Sequence, residues 1–520
     1  MRTATLLAVL SAVTLVPGSG LVSSGKAATC ESLASLALPH TTITRAQTVP
    51  AGAFAATPAG ILEPGAPSFR PYNALPSFCR VTATLAPSTD SDITIEVWMP
   101  MAGWNGKLMG LGNGGWAGNI SVQALAVGLS RGYAVTTTDT GHTTRDGSFA
   151  FGHPEKLIDF GHRAVHEMTV QAKALTRAFY GTASTRSYWD GCSTGGNQGL
   201  SEAQRYPEDY DGIIAGAPAN YFTHLMAYSM WVADATLRDP ASYIPKEKFS
   251  VIHEAALKAC DAQDGIKDDA IDDPTRCRFD PALLQCLAED APNCLTASQV
   301  GAAKKIYAGA RNPRTGELIY PGLEPGSELG WTGMAGGPGP FSISADYYKY
   351  VVFKNPAWDF KTMDFDRDVA AGDAVGAGVV NATSPNLRGF FGRGGKLLMY
   401  HGWSDMLISP RNSVNYYTSV AQTMGGEASV RDSIRLFMAP GMGHCAGGDG
   451  PSNFDKVSLL ETWVEQGKAP DRIVASRLAA GRVDRTRPLC PYPQAAVYSG
   501  TGDTNDAANF VCKVPGLPLP

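Results

Sequence analysis

Short apolar runs alternate with amphipathic stretches along most of the chain. Seven of these runs are typical of strands in a sheet that is covered on both faces, and most are followed by glycine-rich turns. In three longer stretches apolar residues recur every three or four positions, which predicts helices. The predicted strands are 93–98, 107–111, 134–139, 187–190, 212–215, 396–401 and 434–438, and the predicted helices are 164–180, 196–206 and 454–466.

The strand pattern stops near residue 221 and resumes near residue 392. The stretch between holds two close cysteine pairs, an aspartate-rich loop and Pro/Gly-rich segments. We therefore predict an α/β fold with a mostly parallel, doubly wound sheet, built from residues 29–221 and 392–520. Residues 222–391 are predicted to form an inserted lid domain.

Composition places the chain among soluble globular proteins with a sizeable core. It has 520 residues, of which 44% are hydrophobic and 18% charged, which suits one large or two moderate domains. The net charge is −5, and no Lys/Arg cluster is interleaved with aromatic residues. A nucleic-acid partner is therefore not expected.

The amino terminus has the three-part order of a secretory signal peptide. Arg2 precedes an apolar run over residues 4–16, and small residues follow as far as Ala28. The run falls short of the roughly 20 residues that span a bilayer, and no later stretch reaches that length. We expect residues 1–28 to be a signal peptide and the mature protein to be secreted, extracellular or periplasmic, without membrane association. Its ten cysteines are then expected to be paired.

Ser193 is the candidate nucleophile. It is the centre of a Gly-x-Ser-x-Gly sequence that directly follows a predicted strand and precedes a predicted helix. This is the context of the nucleophile elbow of α/β-hydrolases, where a strained turn exposes the hydroxyl. The same turn aims the N–H of Thr194 at the oxyanion, and a second donor is expected from the glycine-rich loop after strand 107–111, at Gly114 or its neighbour.

The general base and its orienting acid follow from chain order, which is Ser, then Asp or Glu, then His in this fold. His444 lies in a late loop after a strand, whereas His224 and His253 fall in the insertion and His401 ends a strand. Asp405 follows the preceding strand. Two rival acids, Asp449 and Asp455, come after the histidine and break the order. The predicted triad is Ser193, Asp405 and His444.

Cysteines adjoin two of these residues. Cys192 precedes the nucleophile and Cys445 follows the base, so the two cysteines are neighbours in space if the triad is correct. They form either a disulfide or a pair of free thiols. Cys192 as the nucleophile is a weaker alternative, because Ser193 occupies the elbow.

An acidic loop between Cys260 and Cys277 carries several aspartates around a glycine. Hard oxygen ligands at this density suit Ca²⁺, although the spacing is not that of an EF-hand. A solvated acidic loop closed by one disulfide is the alternative.

Taken together, these motifs resemble the tannase and feruloyl esterase family over essentially the whole mature chain. The likeness is carried by Cys192-Ser193, Asp405 and His444-Cys445, the joint Cys-Ser-Asp-His-Cys pattern of that family. It implies a lid with one structural Ca²⁺, held by the carboxylates of Asp261, Asp264 and Asp268 and the carbonyls of Ile266 and Ala270. It also implies five disulfides: Cys192–Cys445, Cys30–Cys79, Cys260–Cys277, Cys286–Cys294 and Cys490–Cys512.

The resemblance further implies a serine carboxylic ester hydrolase that acts through an acyl-enzyme without an organic cofactor. Family substrates are small esters of aromatic acids: feruloyl and related hydroxycinnamoyl esters attached to plant polysaccharide, gallate esters, and mono(2-hydroxyethyl) terephthalate. The segments 323–331 and 350–358 look like those of feruloyl esterases, so feruloyl esters are favoured. A serine peptidase and a catalytically silent carbohydrate-binding module are the remote alternatives.

Overall fold

A computed structural model describes residues 27–55 and 72–514. The predicted signal peptide lies almost wholly outside these residues. In the described part the chain forms fifteen strands. They are β1 (Thr41–Val49), β2 (Phe78–Leu85), β3 (Ile93–Pro100), β4 (Lys107–Leu111), β5 (Ala134–Thr138), β6 (Arg186–Cys192), β7 (Gly212–Gly216), β8 (Ala310–Arg311), β9 (Leu318–Tyr320), β10 (Lys396–Gly402), β11 (Ile434–Ala439), β12 (Ile473–Ala479), β13 (Arg482–Leu489), β14 (Ala495–Tyr498) and β15 (Phe510–Lys513).

Helices precede, separate and follow these strands. The α-helices of the described residues are α1 (Val122–Ser130), α2 (Pro154–Ile158), α3 (Ala164–Tyr180), α4 (Thr194–Arg205), α5 (Phe222–Leu237), α6 (Phe249–Cys260), α7 (Ala297–Ala308), α8 (Thr332–Ala335), α9 (Ser342–Asp346), α10 (Arg367–Val380), α11 (Arg388–Gly392), α12 (Pro410–Thr423), α13 (Glu427–Val430) and α14 (Lys456–Gln466). None of these helices is both long enough and apolar enough to cross a bilayer.

Nine strands form one mixed sheet in the order β1-β2-β3-β5-β4-β6-β7-β10-β11. Every neighbouring pair from β5 to β11 is parallel, whereas β1, β2, β3 and β5 pair antiparallel. The parallel strands therefore share one edge at which their carboxyl ends meet. Ser193 follows β6 at that edge, Asp405 follows β10 and His444 follows β11.

Apolar side chains cover both faces of the sheet. On β10, Leu397 and Met399 belong to a cluster with residues of α3, α4 and α12, whereas Leu398 and Tyr400 belong to a cluster with residues of α1 and α14. This two-residue period is the one expected for a strand buried on both sides. The predicted α/β fold with a mostly parallel, doubly wound sheet is confirmed.

The chain between β7 and β10 contributes no described strand to this sheet. It folds mainly into helices, with a two-stranded sheet of β8 and β9. Its side chains share a third apolar cluster with residues that precede the nucleophile: Trp116, Phe149 and Phe160 pack with residues such as Phe222 and Tyr347. The segment is thereby fixed to the sheet domain. The boundaries proposed for the lid, 222–391, stay a prediction.

The sequence pattern missed two strands of the large sheet and misplaced two helix starts by two residues each, one of them at Lys456 instead of residue 454. β1 is an edge strand with mostly half-buried or exposed residues, so it carries little apolar signal. β2 alternates buried and half-buried positions, so the two-residue apolar period that indicates a strand is present in its sequence. The helix predicted over 196–206 begins at Thr194, because the glycines after Ser193 belong to the helix and not to a turn.

Candidate active site

Ser193 occupies a strained position between β6 and α4. Its backbone has φ 63° and ψ −123°, a conformation that costs energy for a residue with a Cβ. The N–H of Ser193 donates to the carbonyl of Gly216 at 3.0 Å, and its carbonyl accepts the N–H groups of Asn197 and Ala219. These bonds hold the turn, so the hydroxyl projects from the edge of the sheet.

Three glycines make the close approach at this turn possible. A Cβ on Gly191 would lie 2.4 Å from the carbonyl oxygen of Gly195, and a Cβ on Gly112 would lie 2.6 Å from the Cα of Gly195. Neither contact is sterically allowed. The Gly-x-Ser-x-Gly sequence is therefore required by the packing of β6, α4 and the loop after β4.

The structure brings Ser193, His444 and Asp405 into one hydrogen-bonded line. Nε2 of His444 lies 3.0 Å from Oγ of Ser193, and Nδ1 lies 2.8 Å from Oδ2 of Asp405. The side chain of Asp405 is fully buried, while that of His444 is 15% exposed. An imidazole placed between a hydroxyl and a carboxylate can accept the hydroxyl proton and return it.

Asp405 receives four hydrogen bonds. Its Oδ1 accepts the N–H groups of Leu407 and Ile408 at 2.8 and 3.0 Å. Its Oδ2 contacts His444 and also Nε2 of His401 at 3.0 Å. Burial alone would raise the pKa of Asp405, but the nearby His444 and the hydrogen bonds from both imidazoles lower it well below its ordinary value.

The loop after β4 is held against the start of α4 by paired amides. The side-chain Oε1 of Gln198 accepts the N–H of Asn113 at 3.0 Å, and its Nε2 donates to Oδ1 of Asn113 at 3.1 Å. The carbonyl of Asn113 accepts the N–H of Gly195. Gly114, the predicted second oxyanion donor, follows in this loop, and Thr194 donates its hydroxyl proton to the carbonyl of Gly115 at 2.8 Å. The two predicted donors thus adjoin one another across the loop.

Cys192 and Cys445 form a disulfide between residues 253 positions apart in the chain. Two residues at this disulfide have a positive φ: Ser193, which follows Cys192, has a φ of 63°, and Cys445 has a φ of 64°. The bond joins the residue before the nucleophile to the residue after the imidazole, and it leaves no thiol at position 192 to act as a nucleophile. The other disulfides of the structure are Cys30–Cys79, Cys260–Cys277, Cys286–Cys294 and Cys490–Cys512, the pairs that the family resemblance implies.

The remaining candidates from the sequence have other partners. Asp455 caps α14 through the N–H of Ser458, and Asp449 lies 3.7 Å from the imidazole of His253. His224 bonds Asp373 within the inserted segment at 2.9 Å. The hydrogen bonds and ion pairs of Asp455, Asp449, His253 and His224 are therefore made with residues other than Ser193.

The acidic loop after α6 is drawn together by its own backbone. The carboxylate of Asp261 accepts the N–H groups of Asp268 and Asp269 at 3.1 and 3.2 Å, and that of Asp264 accepts the N–H of Ile266. Arg487 donates to the carboxylate of Asp268. The loop is therefore tied to β13.

A small cavity of about 20 Å³ lies at this loop, lined by Asp264, Asp268 and Ala270 of the predicted calcium ligands and by Asp272. Burial, followed by the charges of Asp264, Asp273 and Asp268, raises the pKa of Asp272 to about 8. An all-oxygen donor set with more carboxylates than nearby cations fits a hard ion such as Ca²⁺. Asp272 lines this cavity although it is not among the ligands that the family resemblance implies.

Two contributors to the site escaped sequence reasoning. A strand-end histidine such as His401 is expected to be a packed or hydrogen-bonded core residue, which it is, but the sequence does not show its contact with Asp405, and it gives no periodic signal for Gln198. Both side chains are almost fully buried and both bond directly to predicted site loops. A buried polar residue one helical turn after the nucleophile was the available clue for Gln198.

Comparisons with known proteins agree with this geometry. A family model described as tannase and feruloyl esterase matches residues 79–513. The chain is 41% identical over 545 aligned residues to an uncharacterised esterase of Xanthomonas campestris pv. campestris, with 95% of this chain and 93% of that protein covered. It is 36% identical over 456 residues to a probable feruloyl esterase B of Aspergillus clavatus, with 84% and 86% covered.

A solved structure is similar across the same length. The crystal structure of feruloyl esterase B from Aspergillus oryzae matches with a TM-score of 0.86 and 31% sequence identity, and 93% of this chain and 99% of that chain are covered. The match includes the sheet and the segment inserted between β7 and β10.

Proposed function

The chain belongs to the tannase and feruloyl esterase family and is a carboxylic ester hydrolase, and we propose that it cleaves esters of aromatic acids, with feruloyl and other hydroxycinnamoyl esters favoured. The observation that carries the proposal is the line of hydrogen bonds from Ser193 through His444 to Asp405 on a strained turn. The preference for feruloyl esters is supported by relatives named as probable feruloyl esterases.

Acylation begins at the hydroxyl of Ser193. His444 takes the hydroxyl proton at Nε2 while Oγ attacks the ester carbonyl, and a tetrahedral intermediate forms. The N–H groups of Thr194 and Gly114 stabilise its oxyanion, since both belong to elements that converge on the turn. His444 then gives its proton to the leaving alcohol, and the aromatic acyl group stays on Ser193.

Deacylation repeats these steps with water. His444 removes a proton from water, which attacks the acyl carbonyl, and the proton returns to Oγ of Ser193 as the aromatic acid leaves. Asp405 holds the imidazole in the required tautomer through Nδ1 and stabilises its cationic form. Because two backbone N–H groups and two imidazoles contact it, the carboxylate stays ionised throughout.

A structural Ca²⁺ is proposed for the acidic loop of the inserted segment. Asp261, Asp264 and Asp268 would hold it by carboxylates, and Ile266 and Ala270 by carbonyls. When bound, the ion would supply a cross-link within the loop and would take no part in bond cleavage. The small cavity among these residues and the raised pKa of Asp272 support the proposal.

The protein is proposed to act outside the cytosol on small aromatic esters, including those attached to plant polysaccharide. Five disulfides support export, because such bonds form in oxidising compartments. The signal-like order of residues 1–28 supports it independently.

The test is hydrolysis of three matched esters by the purified mature protein. Release of free acid is measured from methyl ferulate, methyl gallate and mono(2-hydroxyethyl) terephthalate, with the Ser193→Ala variant as the control. We expect the highest kcat/KM with methyl ferulate and at least a thousandfold loss in the variant. A preference for methyl gallate would identify a tannase, and a preference for mono(2-hydroxyethyl) terephthalate would identify a hydrolase of that ester.

Absence of serine-dependent turnover on all three esters would overturn the aromatic-esterase proposal. A peptide or amide substrate cleaved in its place would identify a serine peptidase. Failure of a fluorophosphonate to label Ser193 would identify a catalytically silent binding protein. The three esters, the peptide substrate and the fluorophosphonate label together separate these alternatives.

A further inference from the structure

Three metal-ligating side chains meet at the end of α4 that is remote from Ser193. His166 lies in the first turn of α3, Glu202 in the last turn of α4, and Asp209 in the loop that follows. One ligand atom from each lies within 4.8 Å of the other two, and no other His, Cys, Asp or Glu side chains in residues 27–55 and 72–514 form such a group. Glu202 is nine residues beyond Ser193, which places the group about 13 Å farther along the helix.

The carboxylate of Glu202 lacks compensation. Its side chain is 1% exposed, and neither of its oxygens accepts a hydrogen bond from the described residues. A buried carboxylate without a donor is costly, so its retention beside a second carboxylate requires an explanation.

The groups around Glu202 are arranged about Asp209. Nδ1 of His166 lies 2.6 Å from Oδ2 of Asp209, and the imidazole ring stacks on Tyr206 with 3.8 Å between ring centres. Lys173 donates to the carbonyl of Asp209 at 2.5 Å and lies 3.8 Å from its Oδ1. Asp209 is thus held by His166 and Lys173, whereas the carboxyl group of Glu202 faces Asp209 and receives no hydrogen bond from a described donor.

We propose that His166, Glu202 and Asp209 bind a divalent transition cation, for which Zn²⁺ is the representative. One imidazole nitrogen with two carboxylates is a ligand set that zinc accepts, whereas Ca²⁺ and Mg²⁺ favour oxygen alone. The cation gives Glu202 the positive partner that no described residue supplies to it by a hydrogen bond. His166 is half-buried, so the group is reached from solvent and a water completes the tetrahedron.

Binding requires only a small movement. Ligands of a tetrahedral zinc ion lie roughly 3.3 Å apart, given bonds of about 2.0 to 2.1 Å. His166 and Asp209 must therefore separate by less than about 1 Å from their direct contact of 2.6 Å. The ion then joins α3, α4 and the loop before β7, and its effect falls on the stability of the nucleophile helix and not on the chemistry of Ser193.

The experiment measures binding and unfolding, not turnover, so it is independent of the proposed ester substrate. The mature protein is dialysed against 1,10-phenanthroline, which removes transition ions, and is then kept in CaCl₂. ZnCl₂ is added in a calorimetric titration and in a thermal unfolding series. We expect one saturable zinc ion and, at a hundredfold excess over Kd, a rise in Tm of about 3 °C.

The variants His166→Ala and Glu202→Gln should each lose the zinc-dependent rise in Tm and at least tenfold in affinity. His166→Ala changes a half-buried side chain and keeps the measurement valid if Glu202→Gln does not fold. The matched control is His153→Ala, which removes an exposed histidine paired with Asp90 and should bind zinc as the parent does. Absence of saturable binding, or equal binding by parent and His166→Ala, would overturn the proposal. In that case a proton shared by Glu202 and Asp209 would explain why the two carboxyl groups are buried together. The variant Glu202→Gln would then raise Tm in the absence of zinc.

Discussion

His401 and His444 contact the same carboxylate oxygen, Oδ2 of Asp405, at 3.0 and 2.8 Å. His444 faces Ser193, whereas His401 is fully buried and bonds Ser413 through its other nitrogen at 2.7 Å. Nε2 of His401 faces the carboxylate of Asp405 and the carbonyl of Ile408, which can only accept, so Nε2 carries a proton and donates it to Asp405. The orienting acid of the triad is therefore itself oriented by a second imidazole.

Loss of His401 should weaken catalysis at acidic pH. In His401→Leu, Asp405 loses a donor that lowers its pKa, so its carboxylate becomes a stronger acceptor and stabilises the imidazolium form of His444. Because the base must be neutral, we expect the acidic limb of the kcat/KM profile to move to higher pH and the plateau to fall about tenfold. A pH–rate profile measures both effects.

The conservative variant His401→Gln separates positioning from folding. Its amide can still donate to Asp405. The plateau of kcat/KM and the position of the acidic limb should therefore lie close to those of the parent protein. Equal profiles for His401→Leu and the parent protein would show that the contact has no role in catalysis.

Gln198 should affect turnover more than substrate binding. Gln198→Leu removes both amide bonds to Asn113 and loosens the loop that carries Gly114. The oxyanion is present only after attack, so we expect kcat to fall about ten- to a hundredfold while KM changes less than threefold. Steady-state kinetics with methyl ferulate tests this, and a rise in KM with unchanged kcat would contradict it.

Gly191 should not tolerate a methyl group. In Gly191→Ala the new Cβ would meet the carbonyl oxygen of Gly195 at 2.4 Å, and the turn that holds Ser193 would have to shift. We expect loss of activity by at least a hundredfold and a lower Tm. Gly301→Ala is the matched control, because Gly301 lies in α7 with open space at its Cβ position, and that change should keep activity and stabilise by about 0.5 to 1 kcal/mol.

The disulfides should differ in their effect on activity. Removal of Cys192–Cys445 by two alanine substitutions frees the turn at Ser193 from the loop of His444. We expect kcat to fall at least tenfold and the free energy of unfolding to fall by about 2 to 5 kcal/mol. Removal of Cys286–Cys294, which closes only eight residues in the inserted segment, serves as the control and should leave kcat unchanged.

Removal of Ca²⁺ by a chelator should lower the thermal stability of the protein more than its activity. If the acidic loop binds Ca²⁺, EGTA leaves Asp264, Asp268 and Asp272 crowded without a cation, and Tm should fall by several degrees. Added CaCl₂ should restore it, and Asp264→Asn should respond weakly to either reagent. An unchanged Tm in EGTA, measured by calorimetry, would contradict calcium binding.

The parts that sequence could predict are those set by local rules. The elbow around Ser193 needs small neighbours and a strand before it, and chain order then selects Asp405 and His444. The strands covered on both faces, such as β7 and β10, have continuous apolar runs, so they were identified. These features depend on short spans of chain.

The parts that sequence could not predict depend on contacts between distant elements. β1 has few buried residues and is fixed by pairing with β2. Gln198 and His401 act through partners 85 and four residues away, and only the fold shows that these amides and imidazoles face each other. Glu202 belongs to no sequence motif, and only the fold shows that it is buried beside His166 and Asp209.

The bond between Cys192 and Cys445 makes oxidation a step in the maturation of the enzyme. A chain made in a reducing cytosol can fold its sheet and remain soluble while its serine and histidine loops are unlinked. The yield of active protein from recombinant expression should then follow the oxidising capacity of the compartment, and soluble protein alone is a poor measure of it.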